Sequence, residues 1–261
     1  MKFLFFITTI FIFYSCNSTS DKDSKSDLVT EKIAADPNFM KPQKISMQEL
    51  SSEITVVGTF NEAWKWTDSL GENIFLLSHE VKKDSPGDEF DEQPESGFVY
   101  TAHYLMKEGK FRTTRTSTDD EKACSFDLLC NFIPGSTTIT DLDNNGYAEI
   151  KYQFAKACRS DVSPASMTLV LRENGKNHIL MGTRWVSYAD GMTFNITEAN
   201  ANLDGTRKLA DEMAELERLM GKYNSEYQFS DAPPAFIAFA RKEWVKYAKE
   251  NKLAVSIRSG G

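Results

Sequence analysis

The 261-residue chain carries 38 acidic against 30 basic side chains, a net charge of −8. That balance argues against nucleic acid as a partner and against electrostatic adhesion to anionic lipid. Apolar residues at 41%, with 12% aromatic, are ample for a packed core in one domain or a compact pair.

The chain begins with an address. Lys2 supplies one positive charge, and Phe3 to Tyr14 is apolar apart from Thr8 and Thr9. About a dozen apolar residues is signal-peptide length, short of the ~20 needed to span a bilayer as a helix. Tyr14-Ser15-Cys16-Asn17 follows, and the chemistry turns polar at once. A small residue before a Cys at this junction resembles the lipobox of bacterial lipoproteins, cleaved just ahead of the Cys. Phe13 departs from the aliphatic residue usual there. The resemblance implies residues 1–15 as a signal peptide and lipid on Cys16. It also implies a location in the cell envelope of a Gram-negative bacterium, by preference the outer membrane. Removal of residues 1–15 takes the charge from −8 to −9. Residues 16–45 are polar and periodless, with Pro37 and Pro42, and read as a flexible tether to a domain over 46–261.

From Ile54 to Thr197 the pattern is mostly strand. Ile54 to Phe60 is rich in β-branched residues, and Ile74 to Ser78 follows the Gly71-Glu72-Asn73 turn. Phe98–Met106 and Lys110–Thr116 flank Glu108-Gly109 as a hairpin. Met167–Arg172 and His178–Trp185 flank Asn174-Gly175, residues that tolerate positive φ. Trp185–Tyr188 and Met192–Ile196 repeat the arrangement around Asp190-Gly191. Past Asp204-Gly205-Thr206 the period changes. Leu209, Met213, Leu216, Met220 and Tyr223 predict a helix ending near Gly221. Phe236, Ala240, Trp244, Tyr247 and Ala248 predict a second helix (about 204–251 in all), with Asp231 as N-cap before Pro233-Pro234. The expected fold is α+β, mainly β: an antiparallel meander, sandwich or propeller-blade-like, closed by two C-terminal helices packed on the sheet.

Beyond Cys16 three cysteines remain, so an oxidising envelope leaves one thiol over. Cys124–Cys130, closing a short loop, is the preferred pair, and Cys158 bonded to either is the competitor.

One motif carries chemistry. In Asp141-Leu142-Asp143-Asn144-Asn145-Gly146-Tyr147-Ala148-Glu149, Asp141, Asp143 and Asn145 stand at the first, third and fifth positions. Ca²⁺ takes six to eight oxygens, and a tight loop presents side-chain oxygens at this spacing. Gly146 permits the bend, the Tyr147 carbonyl is the next ligand, and Glu149 closes the site. Ile150–Phe154 then runs on as a strand. Tyr152 at the twelfth position, where an EF-hand has Glu, separates the loop from that class. The competing reading is a turn whose Asp and Asn cap their own backbone.

Cys158-Arg159-Ser160-Asp161-Val162-Ser163-Pro164 comes soon after. Together, residues 137–185 resemble a family of small exported bacterial proteins labelled "surface polysaccharide biosynthesis protein", which carry a similar acidic loop and a similar Cys-Arg-x-Asp-Val-Ser-Pro segment. The resemblance implies an envelope role linked to glycans, with no catalytic residues to transfer.

Other candidates are weaker. Cys158 beside Arg159 has the setting of an activated thiolate, but His79, His103 and His178 lie in strand-like stretches without a motif. Asp84 to Glu92 holds enough carboxylates for a glycosidase pair, in a loop that also reads as solvated surface. Trp64, Trp66 and Trp185 are platforms for sugar rings or members of the core. The sequence therefore leads to a non-catalytic envelope lipoprotein that binds a glycan or a protein, with structural Ca²⁺. A carbohydrate-active enzyme using carboxylates of 84–95 or 141–149, and a purely structural lipoprotein, are the alternatives.

Overall fold

The computed structural model describes residues 39–84, 93–161 and 163–250. The apolar N-terminal stretch and Cys16 lie outside them. The first sheet is a five-stranded antiparallel meander in chain order: β1 (Gln43–Ile45), β2 (Thr59–Asp68), β3 (Gly71–Lys83), β4 (Glu95–Lys107) and β5 (Lys110–Cys124). The second contains β6 (Asp127–Phe132), β7 (Thr138–Thr140), β8 (Glu149–Arg159), β9 (Ser166–Glu173) and β10 (Lys176–Thr183). Its order is β10-β9-β8-β6, with β7 also on β8, and all pairs are antiparallel. Two helices follow, α1 (Glu212–Leu219) and α2 (Pro234–Ala248). The fold is thus mainly β with two C-terminal helices, and the sheets stack as a sandwich.

Side-chain alternation assigns the layers. Trp66, Phe75, Leu77 and Val99 of the first sheet meet Phe132, Ile150, Tyr152, Phe154 and Val170 of the second. The opposite face of the first sheet, with Ile45, Ala63, Ile74, Leu76 and Tyr104, is covered by Ile54. The opposite face of the second, with Met167, Leu169, Leu171 and Leu180, receives Phe236, Ala240, Trp244 and Ala248 of α2. The predicted second stripe is therefore the buried face of a helix.

Lys151 on β8 projects into that helix interface with its side chain wholly buried. It ion-pairs with Glu243, donates to the Ser136 carbonyl at 2.7 Å, and sits 4.7 Å from the Tyr247 ring centre. Burial pulls its pKa down to about 8 against the opposing pull of Glu243.

Several expectations are corrected. Residues 54–57 are not a strand: the chain turns at Gly58, with φ +69 and no room for a Cβ, which would lie 2.4 Å from the His79 carbonyl oxygen. β2 starts only at Thr59. The stretch read as tether enters the fold before residue 46, since β1 pairs with β2 and Phe39 bridges Thr67. The Asp190-Gly191 turn keeps a positive φ at Gly191, but its flanks do not pair. Trp185 instead exchanges backbone hydrogen bonds with Ala248, the last residue of α2, and with Glu250 just past it.

The first helix is short. Its N-cap is Asp211, accepting from Ala214 N at 2.8 Å. Leu209 and Met213 are exposed, and the buried Met220 and Tyr223 lie past its end. α2 is capped by Pro233, while Asp231 ion-pairs with Lys176.

The disulfide is Cys124–Cys158, joining the end of β5 to β8 and so stapling the two sheets. Cys130 is free and faces Gly97 in the inter-sheet core, where burial pushes its thiol up to about 12. Sequence proximity favoured Cys124–Cys130. Sheet stacking brings Cys158 to a Cα separation of 5.4 Å instead.

Candidate metal centre

The 141–149 loop joins β7 to β8. Its shape follows from local chemistry: Asn144 and Gly146 take positive φ values of 59° and 80°, and Asx-type bonds tie the bend. Asn145 N donates to Asp143 Oδ1 at 3.2 Å, and Tyr147 N donates to Asn145 Oδ1 at 2.8 Å. Gly146 N donates to Asp141 Oδ2 at 3.3 Å. The loop is pinned to the first sheet by Ser69 N donating to the Gly146 carbonyl (2.8 Å) and Ala148 N donating to Asp68 Oδ2 (3.3 Å). Its φ favours glycine at residue 146, where a Cβ would also push aside the Ser69 hydroxyl, 2.6 Å away.

Three of the predicted ligands converge. Asp141, Asp143 and Glu149 each bring a carboxylate oxygen within 4.8 Å of the others, an acidic group that could hold a metal ion. Glu149 is wholly buried. It accepts from Thr140 Oγ1 at 2.9 Å and from Leu142 N at 2.9 Å. Burial nevertheless drives its pKa up to about 7, with a further push from Glu173. Asp141 Oδ1 is buried with no hydrogen-bond partner. Among the described residues no salt bridge reaches these three acids.

The other two predicted ligands stand differently. The Asn145 oxygen is engaged by Tyr147 N, and its amide nitrogen donates to Asp143 Oδ2 at 3.1 Å and to Glu173 Oε1 at 2.8 Å. Tyr147 contributes a wall residue to a neighbouring recess. Glu173, at the end of β9, escaped the sequence reading. It leans over the loop, its pKa raised first by burial and then by Asp143 and Asp141. Nothing in its local sequence signals this, because only the β8–β9 pairing of Glu149 with Glu173 brings it there.

The remaining candidates are dispersed. Cys158 is spent in the disulfide. His79 Nδ1 bonds Asn61, His103 Nε2 bonds Asn73, and His178 Nδ1 bonds the Gln228 carbonyl. Trp66 and Trp185 are buried and Trp64 is half-buried, so Trp66 and Trp185 belong to the core. Of the acidic loop, Asp84 accepts from Ser96 Oγ, and residues 85–92 lie outside the described set.

Compared with known proteins, the chain matches no family model, no curated protein and no solved structure.

Proposed function

We propose that this protein is a lipid-anchored cell-envelope module that binds glycan without catalysis, its 141–149 loop stiffened by a bound Ca²⁺. The observation that carries the reading is the converged carboxylate group, with one buried oxygen of Asp141 unpartnered and Glu149 buried without a counter-cation. A hard divalent cation with oxygen ligands answers both deficits at once. The envelope address and the glycan ligand rest on the Cys16 junction and on the likeness of residues 137–185 to exported polysaccharide-associated proteins. A carboxylate-based hydrolase draws support from a Glu149 pKa near 7, in the range of a general acid. Against it, Glu149 is sealed from solvent and held by the Leu142 backbone, a placement that suits a cation better than a sugar substrate.

The test is a thermal melt of the full-length protein in EDTA and across a Ca²⁺ series. A ligand bound only by the folded state adds about 2.7 kcal/mol at a hundredfold excess over its Kd. Wild type shifts upward and Asp143→Ala does not. A wild-type melt indifferent to millimolar Ca²⁺ would make the loop an ordinary capped turn.

A further inference from the structure

Arg172 on β9 projects between the sheets and is 1% exposed. Its Nε donates to Asn177 Oδ1 at 2.8 Å, and its Nη2 reaches Ser117 Oγ at 3.2 Å and the Tyr152 hydroxyl at 3.3 Å. Every one of these partners is neutral. Nη1 is buried with no partner at all. A second cation, Arg115, which donates to the Gly175 carbonyl, acts on the guanidinium as well. A buried cation without a counter-ion costs several kcal/mol, so a fold that keeps one invites an anion to the position.

A narrow recess, open to solvent, leads to it. It is lined by Arg172, Asn174 and Gly175 from the second sheet and by Asp68, Leu70 and His103 from the first, with Tyr147 and Ala148 of the acidic loop beside them. Its narrow interior takes about one oxygen-sized group, so a ligand enters by the tip and leaves its bulk outside. His103 is held neutral there, its pKa lowered to about 4 by burial and by Arg172. Asp68 accepts three N–H donors, from Trp66, Leu70 and Ala148.

We propose that this recess is a carboxylate subsite for an acidic sugar, one oxygen of the uronate carboxylate reaching toward Arg172 while ring hydroxyls meet the exposed Asn174 at the rim. Arg is the side chain suited to a planar carboxylate. The polar wall opposite favours a hydroxyl-bearing ligand over a peptide C-terminus. The inference rests on the reading of the domain as a glycan-binding module, but not on the metal loop.

The experiment is calorimetric titration of the full-length protein with sodium glucuronate. Glucose and N-acetylalanine are the controls, at matched ionic strength. Glucuronate binds saturably, glucose does not, and N-acetylalanine binds more weakly. Arg172→Lys, which keeps the charge and loses the unpartnered Nη1, weakens glucuronate at least about tenfold. Leu70→Trp, at the partly exposed rim, does the same by obstruction. If Arg172→Lys does not fold, Leu70→Trp decides alone. Absence of heat up to roughly 50 mM, weaker than any useful site, overturns the subsite. So does glucuronate binding that ignores Leu70→Trp, or N-acetylalanine binding equally well. Envelope polysaccharide captured by wild type and by both variants alike overturns the subsite and leaves the module standing. No capture by wild type overturns both.

Discussion

β8 begins with two buried ionisable residues on one face, and they are treated in opposite ways. Lys151 is fully answered, by the Glu243 carboxylate, the Ser136 carbonyl and the Tyr247 ring. Two residues earlier Glu149 is buried as deeply, with neutral donors around it and further carboxylates for company. The first arrangement is a latch between sheet and helix, complete in itself. The second has no such partner, and forms an acidic group that could hold a metal ion. Arg172, across the inter-sheet face, is the mirror case: a buried cation bonded only to neutral groups. The lesson is that burial alone does not mark a site. A buried charge whose partner is missing does.

Breaking the answered charge has the largest effect. Lys151→Ala leaves Glu243 with only Lys246, 3.6 Å away, and opens the α2 interface. Removing one partner of a buried pair costs about 3 kcal/mol or more, read as a lower midpoint in urea. Lys151→Met combined with Glu243→Leu restores most of it, because well-packed apolar replacements do as well as a buried pair.

The pH dependence comes next. His103 in the folded state titrates at about 4 against 6.5 unfolded, lowered by burial and by Arg172 and partly countered by Asp68. Between those values the unfolded chain takes up a proton that the folded chain refuses. The part of the stability that depends on His103 therefore falls as pH drops from 6.5 toward 4, by roughly 3 kcal/mol in all. Glu149, its pKa raised by burial to about 7, pulls the opposite way over much of the same window. The His103 part is read as a difference: urea midpoints of wild type fall relative to those of His103→Gln as pH drops through the window, and a constant difference would place the origin elsewhere.

The smallest effect sharpens the comparison most, since it reverses sign. Asp141→Asn keeps an oxygen for Gly146 N while removing charge from a crowded acidic loop. In EDTA the variant melts at or slightly above wild type, a gain of up to about 0.5 kcal/mol from relieved repulsion. In saturating Ca²⁺ it melts below wild type. A variant equally displaced in both conditions would mean that Asp141 serves the loop's shape and nothing more.

Much of the fold was legible because strand alternation and turn residues are local signals. Asn174-Gly175 and Glu108-Gly109 mark real hairpins, and Asp141, Asp143 and Glu149 meet as their spacing predicts. What failed was long-range. β-branched residues at 54–57 obey a turn at Gly58, and the Trp185 segment pairs with residues more than sixty positions away. Glu173 and Arg172 carry no local mark, since their environments are made by the pairing of β8 with β9 and by the stacking of sheets. Spacing along a chain reports a loop's own ligands; it is silent about what another strand brings to them.

The Cys124–Cys158 staple also bears on the order of events in the protein's life. In a reducing compartment the sheets are held by packing and by polar contacts such as Lys156–Asp119 and Arg172–Ser117, and the bond closes only where oxidation is permitted. The remaining thiol does not interfere afterwards. Thiolate is the attacking form in disulfide exchange, and Cys130, buried and with its pKa pushed up to about 12, stays protonated at neutral pH. Once folded, the molecule keeps a spectator thiol in its core that cannot shuffle the crosslink, and the correct bond outlives the machinery that made it.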